Sequence, residues 1–181
     1  HASNKVCNLL GTVMFTDKSV IVTGAASGIG RACAIRLVTD GNRVVAVDLD
    51  RERLEAALGG ETDTLKFSAG DVARTATAEA AAATAVSAYG GIDGLAHFAA
   101  AHSKFNWEGA DEDEFNRILS TNVTGSFLMA KSAAKVMIDQ GTKGAMVLTA
   151  SGGVLMGGTG DQGRGGPAYT TSKGGVLVLV R

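Results

Sequence analysis

Apolar residues along this chain keep two alternating rhythms. Short β-branched runs bounded by turn residues are followed by stretches whose apolar positions recur every three or four residues. Ser19 to Thr23 is the first such run. After Gly28, Ile29, Cys33 and Leu37 share one helical face until Asp40-Gly41-Asn42 stops it, and Arg43 to Val47 predicts a second strand. Asp50 stands as the N-cap of a helix through Leu54 and Leu58 that ends at Gly59-Gly60, and Thr64 to Ser68 predicts a third strand. The alanine-rich stretch from Thr75 to Tyr89 is helical on propensity alone. A strand Gly94 to Phe98, a long helix Asp111 to Asp139, a strand Gly144 to Ala150 and a helical segment from Pro167 complete the series. Strand followed by helix, repeated in this way, predicts an α/β fold. It is a doubly wound parallel sheet with right-handed crossovers and strand order 3-2-1-4-5.

With 181 residues, 45% of them hydrophobic, the chain has room for one well-buried domain and not for two of ordinary size. Residues 14–181 are that domain. Met14-Phe-Thr-Asp-Lys leads into the first strand as a natural start would, so residues 1–13 read as an N-terminal extension or tag remnant. At the other end the apolar pattern Val176, Leu177, Val180 runs into Arg181 with no stop signal, and an incomplete C-terminus is expected. A net charge of -1, without a basic stripe, argues against nucleic acid as a partner. No apolar window is long enough to span a membrane, and no secretory signal opens the chain, so a soluble, cytoplasmic protein is expected. Cys7 and Cys33 exclude a disulfide framework, and Cys33 reads as core. His1, His97 and His102 lack metal-ligand spacing, so no metal is expected.

The first strand ends in Thr23-Gly24-Ala25-Ala26-Ser27-Gly28-Ile29-Gly30. A glycine turn between strand and helix lets the backbone approach a pyrophosphate, and the helix N-terminus behind it supplies free N–H groups. Gly24, Ser27, Gly28, Ile29 and Gly30 are therefore candidate dinucleotide-binding residues. Asp48, ending the second strand, is placed to accept hydrogen bonds from an adenosine ribose and to repel a 2'-phosphate. No basic residue stands at Ser27 or directly after Asp48, so NAD is favoured over NADP. Asp71, with Val72 beside it, either meets the adenine or caps the helix that follows.

Near the far end stands Tyr169-Thr170-Thr171-Ser172-Lys173. Four residues apart on a helix, Tyr169 and Lys173 point into one cleft, where an ammonium favours a phenolate and so makes a usable general base. Asn122 falls on the apolar stripe of its helix, at i+4 from Ile118. A buried amide there implies a held water or a local helix distortion. Ser151 follows the fifth strand, at the carboxyl edge where ligands bind in such sheets.

Together these motifs resemble the short-chain dehydrogenase/reductase family over residues of about 15 to 181. The resemblance implies an NAD-dependent oxidoreductase interconverting a secondary alcohol and a ketone. Tyr169 would take the hydroxyl proton, Ser151 orient the substrate oxygen, Lys173 bind the nicotinamide ribose, and Asn122 hold a water in a relay to Lys173. It also implies a homodimer or homotetramer in the full-length protein. Three departures stand out. His97-Phe98-Ala99-Ala100 replaces the usual Asn-Asn-Ala-Gly, which removes a strand-bracing amide. Residues 152–166 form an unusually long loop with eight glycines, read as a mobile substrate-side loop, and the family's last strands are absent. The alternatives are a dinucleotide-binding protein without turnover and an inactive fragment of such an enzyme. Phe105 and Trp107 line the substrate mouth or anchor a loop, and His102 has no assigned role.

Overall fold

A computed structural model describes residues 15–103, 105–156 and 166–181. The N-terminal extension and residues 157–165 of the glycine-rich loop lie outside the described residues. Five strands, β1 (Ser19–Thr23), β2 (Arg43–Asp48), β3 (Leu65–Ala69), β4 (Gly94–His97) and β5 (Ala145–Leu148), pair in parallel in the order β3-β2-β1-β4-β5. The helices are α1 (Gly28–Thr39), α2 (Arg51–Leu58), α3 (Thr75–Tyr89), α4 (Glu112–Leu119), α5 (Gly125–Asp139), α6 (Gly153–Met156) and α7 (Pro167–Leu179).

Alternation along each strand sends successive side chains to opposite faces, and each face is covered by helices. Ile21, Val45, Val47 and Leu95 meet Ala81 and Ala85 of α3 and Met129 and Ala133 of α5. On the other face Val20, Val22, Val44 and Ala46 meet Ala34 of α1 and Leu54 of α2. Cys33 is partly buried against this second cluster. Alanine suits α3 twice over. It costs least in a helix, and its small side chain lets the helix axis approach the sheet.

The predicted face of α1 needs correction. Ile29 is 67% exposed, whereas Gly30 and Ala34 carry the burial. The first turn of α1 rises past the strand ends, so Ile29 faces the cleft above the sheet rather than the core. The long helix is also interrupted. Asp111 is its N-cap, accepting a hydrogen bond from the Glu114 N–H at 2.8 Å, and a π turn, Ser120–Thr124, separates α4 from α5. Such turns insert one residue and turn a side chain off the helical stripe. Here that side chain is Asn122, so the local distortion is the structural outcome of its buried amide. The short α6, inside a glycine-rich segment, carries no periodic signal. β5 forms one edge of the sheet, with Val147 58% exposed. Among the described residues no helix is long and apolar enough to cross a membrane.

Candidate active site

The glycine turn is shaped by sterics. Gly24 and Gly28 have positive φ, +67° and +51°, the left-handed region that glycine enters without a Cβ penalty. A Cβ on Gly24 would stand 2.9 Å from the Ala99 nitrogen, and one on Gly30 would run into the Gly24 carbonyl oxygen. Nothing lies within 4 Å of a Cβ on Gly28. Ser27, the N-cap of α1, makes no side-chain capping bond, which leaves the first N–H groups of α1 turned to the open side of the turn. A concave backbone wall with unengaged N–H groups fits a pyrophosphate.

Asp48 closes the next wall. Its Oδ2 accepts from the Ala26 N–H at 3.0 Å and its Oδ1 from the Leu49 N–H at 2.9 Å, tying β2 to the glycine turn. Capping of α2 falls instead to Asp50, which accepts from the Glu52 N–H at 2.7 Å. Arg53, one turn into α2, brings Nη1 to 3.6 Å from Asp48 Oδ1 and lines the cleft. Inspection of the residue directly after Asp48 misses this cation, because a helix returns it from five positions on. Asp71 does not cap the helix that follows, whose N-cap is Arg74, because it stands four residues before the first helical position. Its Oδ1 accepts from the Ala73 N–H at 2.9 Å, and it lines the cleft. Val72 is buried against Gly125, whose Cβ would stand 2.9 Å from Val72 Cγ2.

Beyond β4 the walls become side chains. Thr23 Oγ1 accepts from the Phe98 and Ala99 N–H groups, both at 3.1 Å, and lies 2.8 Å from His97 Nδ1. With both lone pairs taken, the Thr23 hydroxyl donates to Nδ1, so the neutral imidazole carries its proton on Nε2. His97 thus supplies the brace expected to be missing. Burial, and then the nearby Lys173 charge, push its pKa down to about 4.

Asn122 is fully buried, and its amide is engaged by the chain itself. Its oxygen accepts from the Ala101 N–H at 2.7 Å; its nitrogen donates to the Ala101 carbonyl at 2.9 Å and to Ser172 Oγ at 2.8 Å. Both amide N–H groups are taken, and Asn122 does not line the cleft. Ser172 Oγ in turn donates to the Tyr169 carbonyl at 2.7 Å. The amide therefore ties the segment after β4 to the helix that carries Tyr169.

Lys173 is buried, and burial pushes its ammonium pKa down. Its Nζ donates to the Thr149 carbonyl at 2.7 Å and lies 5.8 Å from the Tyr169 ring centroid. The Tyr169 ring stacks on His102, with centroids 4.8 Å apart and planes at 20°. Ser151 Oγ accepts from the Gly153 N–H at 3.2 Å at the start of α6, and Ser151 does not line the cleft. Phe105 and Trp107 are exposed and do not line it either. Sequence reasoning missed Thr149, Ser172, Arg53 and the role of His102; among these only Thr149, just past β5, stands at a position that a parallel sheet marks in advance.

One cleft of about 760 Å³ runs from Gly24, Gly28 and Asp48 past Asp71 to Tyr169 and Lys173. A parallel sheet of order 3-2-1-4-5 with a cleft at its carboxyl edge, opening at a glycine turn, defines a Rossmann-like α/β protein. The family model for short chain dehydrogenases matches residues 18–181, and the chain belongs to that family. It is 35% identical over 176 residues to a levodione reductase of Leifsonia aquatica, covering 94% of this chain and 64% of the relative. It is 35% identical over 143 residues to a 2,5-dichloro-2,5-cyclohexadiene-1,4-diol dehydrogenase of Sphingobium indicum, covering 78% and 57%. A D-threitol dehydrogenase of Mycolicibacterium smegmatis is 39% identical over 137 residues, covering 74% and 52%. The crystal structure of a levodione reductase superposes with a TM-score of 0.79 at 32% identity, covering 92% of this chain and 65% of that one. This chain therefore spans less than two thirds of these relatives' lengths.

Proposed function

We propose that residues 14–181 form the cofactor-binding and catalytic part of an NAD-dependent oxidoreductase that interconverts a secondary alcohol and a ketone. The observation that carries this reading is the meeting of Tyr169 and Lys173 with the glycine turn and Asp48 in one cleft. Gly24, Ser27, Gly28, Ile29 and Gly30 hold the pyrophosphate, Asp48 takes the adenosine ribose hydroxyls, and Asp71 and Val72 border the adenine. Arg53 faces the Asp48 carboxylate, so its charge is engaged, and the preference for NAD over NADP follows from Asp48. When bound, NAD supplies the acceptor for the hydride lost by the carbinol carbon.

Tyr169, as general base, takes the hydroxyl proton while the C–H bond gives up its electron pair, so that alcohol and NAD become ketone, reduced NAD and one proton. Lys173 binds the nicotinamide ribose. Ser151 orients the substrate oxygen. Asn122 serves by fixing α7 and the segment after β4, and a relay water would rest on groups other than its two amide N–H groups. The names of relatives point to a diol and to threitol among the alcohols such proteins act on. A cytoplasmic location and a homodimer or homotetramer complete the reading.

One observation favours a second reading, dinucleotide binding without turnover: Ser151, whose Oγ accepts from the Gly153 N–H, lies outside the cleft lining. Incubation with NAD and a panel of secondary alcohols, followed by the absorbance of reduced nicotinamide, separates the two. Its appearance supports the oxidoreductase. NAD binding with no reduction across the panel supports the second reading.

A further inference from the structure

His102 belongs to none of the roles assigned above, yet it is built into the cleft. The residues on either side of it are pinned. Ala101 is bonded through both N–H and carbonyl to Asn122, and the buried Ser103 donates through Oγ to the Phe105 carbonyl at 2.9 Å. The His102 carbonyl itself accepts from Arg117 Nη2 at 3.4 Å. Its ring is then held by the stack on Tyr169, in the offset parallel arrangement that aromatic pairs favour. An exposed histidine usually has none of these restraints.

Both rings line the same cleft, and among the described residues neither the Tyr169 hydroxyl nor the His102 ring nitrogens have a protein hydrogen-bond partner. Near-parallel planes with centroids 4.8 Å apart hold the two rings side by side in that cleft. A neutral imidazole both donates and accepts, so it can serve a second hydroxyl or a second carbonyl.

We infer that His102 is a substrate-anchoring residue: its imidazole binds a second oxygen function of the substrate while Tyr169 serves the reacting one. The inference rests on the oxidoreductase reading for the role of Tyr169, and it deepens it by naming the substrate class. The site selects diols, hydroxyketones and diones over alcohols with one oxygen. A site built to pair a second oxygen rejects an analogue that lacks it, because its own polar group is then left without a partner.

The test uses cyclohexane-1,2-diol and cyclohexanol as probes, with binding to the NAD-loaded protein followed by ligand-detected NMR competition. Wild type is expected to prefer the diol by about tenfold, the size of one good hydrogen bond. His102→Phe keeps a stacking ring and loses both nitrogens; it is expected to bring the two probes within about twofold of one another, with cyclohexanol binding unchanged. His102→Asn, which keeps a donor and an acceptor, is expected to retain part of the preference. A wild type with no diol preference overturns the inference, as does a preference that survives in His102→Phe or a parallel loss of both probes there. Reduced nicotinamide is recorded in the same samples. Diol preference lost in His102→Phe without any reduction of NAD keeps the anchor and removes the oxidoreductase reading; reduction without preference removes the anchor alone.

Discussion

The two ends of the cleft differ in what they are made of. At the Asp48 end the wall is largely backbone, from the contiguous glycine turn between Gly24 and Gly30, closed by the Asp48 carboxylate that bonds to the turn itself, with Arg53 and Asp71 beside it. At the Tyr169 end the wall is side chains from separate segments: His102 after β4, Arg117 on α4, Thr121 in the π turn, and Tyr169 and Lys173 on α7. Backbone walls are specified by which side chains are absent, so changes there act first on conformation. Side-chain walls are specified by reactive groups, so changes there act first on chemistry, unless the side chain also carries structural hydrogen bonds.

The largest expected effect tests the chemical end. Tyr169→Phe removes one hydroxyl that the protein does not use for folding, and turnover is expected to fall about 10²- to 10⁴-fold with NAD affinity and melting temperature unchanged. Retained turnover would contradict the role of Tyr169. Next in size is the pH dependence of His97, the buried brace between β1 and β4. Its folded-state value of about 4 lies below the ordinary value of about 6.5, so the unfolded chain binds the extra proton. Stability is then fully present above pH of about 6.5 and is lost as pH falls toward about 4, by roughly 3 kcal/mol. Urea titrations at stepped pH should show this limb, and His97→Asn should flatten it.

Smaller effects sharpen the contrast at the backbone end. Gly30→Ala forces a methyl against the Gly24 carbonyl and is expected to cost about 1–3 kcal/mol in chemical denaturation. Gly28→Ala meets only open space and pays only for positive φ, about 1 kcal/mol, so Gly30→Ala should be the more damaging of the two. Asn122→Ala is the case that crosses the divide. It lies on the Tyr169 side yet leaves Ala101 without both of its partners, and about 1–3 kcal/mol of stability should go with it. An unchanged denaturation midpoint in Asn122→Ala would show that the amide is not a brace.

The same contrast explains what could be read before the structure was known. Strand positions and sheet order were legible because β-branched runs and glycine stops are local, and the glycine turn is one contiguous motif. Boundaries moved by about a residue where strands fray into loops, as at β3 and β5. Ile29 was misplaced because periodicity reports which residues share a face, not how far a helix rises beyond the sheet. Arg53 and His102 stay hidden because their partners are reached only after folding, Asp48 through a helical turn and Tyr169 from the far end of the sequence. The replacement of an amide by His97 looked like a loss in sequence and is a substitution in space, since an imidazole nitrogen accepts the same hydroxyl.

A calorimetric titration with NAD and with NADP, on wild type and on Asp48→Ala, tests most directly whether this cleft is a nicotinamide dinucleotide site. Wild type should bind NAD in preference to NADP, and Asp48→Ala should lose that preference. Failure of the folded wild type to bind either dinucleotide, or a preference that ignores Asp48, would contradict the proposed site.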